Sequence, residues 1–118
     1  MHNDTRDALQ RACQRIADDL EQRPAIRAAG IAALERLAPV ALRGTGQSRV
    51  IGRFLLGLYN GSDYPFDLTD FRLLDGDLFD DCLALLRMDS QPEREVHEYL
   101  VDGEAVFAEL RRRYGNGC

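Results

Sequence analysis

Apolar residues recur along most of this chain at spacings of three and four, the repeat of an amphipathic α-helix. The first stripe is Leu9, Cys13, Ile16 and Leu20, and it follows the cap-type residues Asn3, Asp4 and Thr5. Gln22-Arg23-Pro24 interrupts it. Pro24 is placed as the first residue of a second helix, whose stripe is Ile26, Ala33, Leu34, Leu37 and Ala41. Seven alanines between residues 25 and 42 allow close helix approach. Pro39 predicts a kink or an end near Ala38. So short a connection predicts an antiparallel helical hairpin at the N-terminal end.

Arg43-Gly44-Thr45-Gly46 breaks the pattern, and Thr45 or Ser48 can cap a helix running to about Tyr59. Its stripe is Val50, Ile51, Phe54, Leu55 and Leu58, with Arg49 and Arg53 on its polar face. Asn60-Gly61 stops it, both residues tolerating positive φ. After a loop over residues 60–66, Asp67 reads as the N-cap of a short helix to about Leu74, with Asp70 three residues on. Asp75 caps the next, with Asp77, Asp80 and Asp81 near its positive end. Leu78, Phe79, Cys82, Leu83, Leu85 and Leu86 cover more than one face there, which predicts the most buried helix over about 76–88. Pro92 restarts the chain, and Val96, Tyr99 and Leu100 carry a further stripe. Residues 94–101 also fit a strand. After Asp102-Gly103 comes a last helix with Val106, Phe107 and Leu110, Arg111 to Arg113 in its final turn and Gly115 at its end. The expected fold is all-α: one compact domain over residues 1–118, with five or six helices.

Composition refines this in few places. A chain of 118 residues is the size of one ordinary domain. It buries roughly two-thirds of its unfolded surface. At 45% hydrophobic it is not disordered by composition. No apolar run reaches the ~18 residues of a membrane span. MHNDTRDALQ lacks the basic and apolar regions of a signal peptide, so the expected compartment is the cytoplasm. Cys13, Cys82 and Cys118 are an odd number without close spacing, which argues against a disulfide framework. Cys13 and Cys82 read as small buried hydrophobes, and Cys118 as part of a fraying end.

Charge is more informative. All 15 basic residues are arginine. Residues 1–62 carry nine of them against six acids, and residues 63–118 carry six against fourteen. A net charge of −5 argues against a general nucleic-acid binder, which needs a positive field. The acidic half instead suits a basic partner.

Several chemistries fail on spacing. With Gly76 at the sixth place of a calcium loop, Phe71 and Leu73 fall where oxygen ligands are needed. The absence of lysine excludes a Walker A loop around Gly44-Thr45-Gly46, and Arg49 breaks a G-x-G-x-x-G pattern. His2 and His97 are too few for a zinc site, and His97 reads as a structural residue. No cysteine or serine has an evident base partner. An enzyme is therefore disfavoured; it would need Arg49, Asp67, Asp70 or His97 to converge in a pocket.

The strings Thr45-Gly46-Gln47-Ser48-Arg49, Phe54-Leu55-Leu56 with Tyr59-Asn60, and Phe66-Asp67-Leu68-Thr69-Asp70 occur in order. Together they resemble an uncharacterised family of small proteins carried on proteobacterial integrative and conjugative elements. The resemblance spans about residues 34–90 and implies a mobile-element accessory gene without an assigned activity. With the charge split, it leads to an expected non-enzymatic protein-binding role, with anti-defence inhibition of the anti-CRISPR kind as one form. The partner would be a larger host protein or ribonucleoprotein complex with a basic surface. The expected contact face is Asp63, Tyr64, Asp67, Asp70, Asp77, Asp80 and Asp81. The alternative is a nucleic-acid-binding regulator using Arg43, Arg49 and Arg53. No metal or cofactor is expected. Heptad-like spacing in the N-terminal hairpin also allows a homodimer.

Overall fold

The computed structural model describes residues 2–115, with side chains from Asp4 onward. The expectations for His2 as a side chain and for Cys118 lie outside the described residues. Four α-helices are present: α1 (His2–Ala41), α2 (Gly46–Tyr59), α3 (Gly76–Asp89) and α4 (Gly103–Tyr114). Two 3-10 turns, Leu68–Leu73 and Val96–Tyr99, complete six helical segments. The all-α reading holds, and no strand occurs among the described residues, so the strand option for residues 94–101 falls away.

The N-terminal hairpin does not form. α1 runs unbroken for 40 residues through both Pro24 and Pro39. A proline inside a helix removes one hydrogen bond and crowds the carbonyl four residues back. Pro24 is exposed, and so is Leu20, whose carbonyl loses its donor; water can reach that group. Side chains also tie the helix to the body on either side of Pro24: Arg23 donates to Gln91, and Arg27 pairs with Glu93. Pro39 is exposed as well, and the helix closes just beyond it with Arg43 N–H donating to the Val40 carbonyl at 3.1 Å. Gly44 then reverses the chain at φ +82°, the one positive φ among the described residues.

The core lies between the C-terminal half of α1 and the other helices. Leu34, Leu37 and Ala41 of α1 meet Ile51, Leu55 and Leu56 of α2, Cys82 and Leu85 of α3, and Phe107 and Leu110 of α4. α3 packs along α1, where Gly30 is required for close approach: a Cβ there would sit 2.5 Å from Met88 Cβ. The expected bounds of α3 are confirmed. Its rank as the most buried helix is not: only Cys82, Leu85 and Met88 are buried on it, whereas α2 buries seven residues. Leu83 and Leu86 turn outward. The two cysteines also part company. Cys82 is buried and Cys13 is exposed. Burial, then the neighbouring Asp81 charge, pushes the Cys82 thiol up to about 12, so it is an inert core residue.

Local cap chemistry sets the start of α2. Ser48 is fully buried, and its hydroxyl does two jobs. It donates to the Val40 carbonyl at 2.6 Å and accepts the Thr45 backbone N–H at 3.0 Å. It thereby bolts the end of α1 to the beginning of α2. Ser48→Ala leaves the Thr45 N–H without its acceptor and is expected to cost about 1.5 kcal/mol, read from the midpoint of urea unfolding.

The first 20 or so residues of α1 extend past this body. Leu9, Ile16 and Leu20 are 62%, 60% and 69% exposed. The stripe that periodicity assigned to a core is therefore uncovered among the described residues. The molecule measures 58 × 30 × 27 Å, and the projecting arm accounts for the long dimension.

Candidate functional site: an apolar groove with an acidic rim

Between α2 and α3 the chain crosses the surface as NGSDYPFDLTDF, residues 60–71. Asn60 ends α2 in extended backbone at φ −158°, not at the positive φ that its sequence suggested. Its side chain does the stopping: Oδ1 accepts the Asp63 N–H at 3.2 Å, and Nδ2 donates to Asp63 Oδ2 at 3.0 Å. Asp67 caps the following 3-10 turn as expected, accepting the Thr69 N–H at 3.0 Å and the Thr69 hydroxyl at 2.8 Å. Those two bonds, the hydroxyl first, hold the Asp67 carboxyl below its ordinary range, so it stays ionised.

These turns bring four phenylalanines together. Phe66 and Phe71 have ring centroids 4.9 Å apart, both pack on Phe54 of α2, and Phe71 meets Phe79 of α3 at 5.4 Å. Edge-to-face contacts of this kind favour one fixed arrangement. Over the cluster lies an open groove of about 190 Å³, walled by Phe54, Leu58, Tyr64, Phe66, Leu68 and Phe71, with Leu86 at its α3 side. Leu68 is 72% exposed at its edge.

Along the loop, each apolar wall residue has an aspartate next to it in sequence. Asp63 precedes Tyr64, Asp67 lies between Phe66 and Leu68, and Asp70 precedes Phe71. Asp63 and Asp67 are exposed and Asp70 is half-buried. Of the seven expected contact residues, Tyr64 lines this groove, and Asp63, Asp67 and Asp70 are sequence neighbours of its wall residues without lining it. Asp77, Asp80 and Asp81 do not line it either. Asp77 and Asp80 are exposed on the first two turns of α3. Asp81 is held by Arg36 of α1 in a two-bond fork, 3.1 Å from Nε and 2.8 Å from the terminal nitrogen, with its side chain only 15% exposed. It ties α3 to α1. Sequence reasoning missed Phe66, Leu68 and Leu86 as groove walls. The signal available was the alternation of aromatic or aliphatic residues with aspartates through a segment that contains Pro65.

The residues named for other chemistries lie apart from the groove. His97 is half-buried against the Tyr59 ring at 5.3 Å, its Nε2 3.3 Å from a Glu104 carboxylate oxygen. This is the structural setting expected for it. Arg43 and Arg49 are exposed and Arg53 is partly covered around the start of α2, and none forms an ion pair among the described residues. Grooves along residues 6–17 of α1, between α1 and α3, and over the phenylalanine cluster are lined by none of Arg49, Asp67, Asp70 and His97. Among the described residues, no three His, Cys, Asp or Glu side chains are grouped to hold a metal ion, and no helix is long and apolar enough to cross a membrane.

Neither a curated protein nor a solved structure matches the chain. Residues 31–115 match the model of a family described as a family of unknown function, DUF7673. That span takes in α2, α3, α4, both 3-10 turns and the part of α1 that enters the core, and it leaves out the projecting arm. The match covers more than the 34–90 stretch that the sequence motifs suggested, and with it the chain belongs to this family of unknown function.

Proposed function

We propose that this chain is a non-enzymatic docking protein that holds a basic segment of a larger partner in the groove between α2 and α3. The single observation that carries the reading is an open apolar groove walled by Tyr64, Phe66, Leu68 and Phe71, on a loop in which Asp63, Asp67 and Asp70 adjoin those residues in sequence. Protein interfaces are built this way, with an aromatic centre that excludes water and a charged rim that selects and steers the partner. A segment offering one apolar side chain to the groove and arginine or lysine beside it satisfies both parts. The setting we propose is a bacterial mobile element acting in the cytoplasm, with inhibition of a host defence complex as the form of action. The motif resemblance and the acidic balance of residues 63–118 support it.

The test separates the groove from the fold. Leu68→Arg and Asp70→Arg alter side chains without hydrogen bonds among the described residues, and Asp67→Asn keeps an oxygen for the cap. In affinity capture from the native host, followed by titration of the captured partner, each arginine variant is expected to bind at least tenfold more weakly, about 1.4 kcal/mol. Their melting temperatures should stay near that of the parent chain. Undiminished capture by both variants rules the groove out. Capture of DNA or RNA that falls steeply with salt and depends on Arg43, Arg49 and Arg53 would instead favour the nucleic-acid reading.

A further inference from the structure

The arm of α1 ahead of Arg23 leaves the body as a bare amphipathic helix. Its apolar stripe, Leu9, Cys13, Ile16 and Leu20, is exposed, and it is flanked by Ala12 and Ala17. We propose that two copies of this chain pair through these arms, side by side and antiparallel, to make a homodimer.

The stripe itself names the occupant. Its spacings are four, three and four, which read the same in either direction. A two-fold axis between Gln14 and Arg15 sets Leu9 of one copy against Leu20 of the other, and Cys13 against Ile16. Every apolar residue then meets an apolar residue, in the alternating layers of a two-stranded coiled coil. The flanks agree. Ala12 and Ala17 let the helices approach to the usual 8–10 Å. In this register Arg6 of one arm falls opposite Arg23 of the other, so the apolar seam is confined to four layers. Arg11, Gln14, Arg15 and Asp18 stay on the outer face, where charge belongs.

The body decides the direction. It is about 27–30 Å across, and it begins where Arg23 reaches Gln91. Parallel arms 8–10 Å apart would carry two such bodies to the same end, where they collide. Antiparallel arms carry them to opposite ends, with the first turn of each arm arriving at the foot of the other body. The arm is about 20 residues, or roughly 30 Å, long. Two arms seam to seam bury on the order of 1,000 Å² in total, the lower end of specific interfaces, so the association is reversible.

Sedimentation equilibrium of the full chain over a wide concentration range tests this. The expected mass rises from the 13.3 kDa of one chain towards twice that value. Ile16→Glu is expected to hold the monomer mass at every concentration, with its thermal midpoint close to that of the parent chain measured dilute, because Ile16 has no contact with the body. Direction is read by cross-linking in chains whose Cys13 and Cys118 are serine. A mixture of Leu9→Cys and Leu20→Cys chains is expected to form the mixed disulfide, and Leu9→Cys alone should form none. A chain that stays monomeric at all concentrations, with or without another protein captured from its host, overturns the proposal. So does a dimer that survives Ile16→Glu, or one in which Leu9→Cys chains join to each other.

Discussion

Replacing Phe107 with alanine is expected to destabilise the fold by about 4 kcal/mol, out of the 5–15 kcal/mol that holds a domain of this size together. Phe107 is fully buried and lies where three elements meet. Its ring stacks on Tyr59 of α2 with centroids 5.4 Å apart and planes 26° apart, and it faces His97 of the second 3-10 turn at 6.2 Å. Arg111, one turn further along α4, covers the outer side of Tyr59 at 5.2 Å. Truncation removes the centre of this stack, and its neighbours are anchored on separate helices and cannot collapse into the space. The measurement is urea unfolding followed by far-UV circular dichroism. A loss below about 1 kcal/mol would mean that α4 is not docked as described.

The second large effect is expected at Gly103. A Cβ at this position would lie 1.7 Å from the His97 carbonyl oxygen and 2.7 Å from its carbon. Those are backbone atoms, so no rotamer change relieves the overlap. The link from the 3-10 turn to α4 is also hydrogen-bonded: Leu100 N–H donates to that same His97 carbonyl, and Gly103 N–H donates to the Leu100 carbonyl. Gly103→Ala must push α4 away from the turn, and the expected cost is about 3 kcal/mol. Gly76→Ala is the control. It also sits at the start of a helix, but nothing lies within 4 Å of its added Cβ, and it is expected to be neutral or slightly stabilising. Equal melting temperatures for the two variants would contradict this account of the α4 junction.

Both glycines look alike in the sequence, each following an aspartate at a helix start. What separates them is the His97 carbonyl, which only the folded chain supplies. The same division runs through the rest of the molecule. Caps are local, so Asp67, Thr45 with Ser48 and Gly115 could be placed from the residues around them, whereas the Asp75 carboxylate makes no cap bond and accepts from Gln47 of α2 instead. Pro24 could not, because whether a proline ends a helix depends on what satisfies the groups it strands and what holds the helix on either side. The stripe from Leu9 to Leu20 correctly indicated an amphipathic helix, but periodicity says that a face needs covering without saying by which chain. Asp80 and Asp81 are neighbours of one type, and Arg36, 45 residues away, claims only Asp81. The acidic character of the candidate site was therefore legible, while its walls, drawn from α2, a loop and α3, came with the fold.

Pro24 has a thermodynamic corollary for the long helix. Without an amide proton at that residue, the ladder of hydrogen bonds lacks a rung at Leu20. Residues 25–41 are kept helical by the core beneath them, while the preceding turns have only their own propensity, which is marginal for a segment of that length in water. Melting of the outer turns thus stops at the missing rung and spares the globule. In the dimer proposed above, coiling and pairing of the arms would form a single equilibrium, set by protein concentration and separable in a calorimeter from the melting of the core.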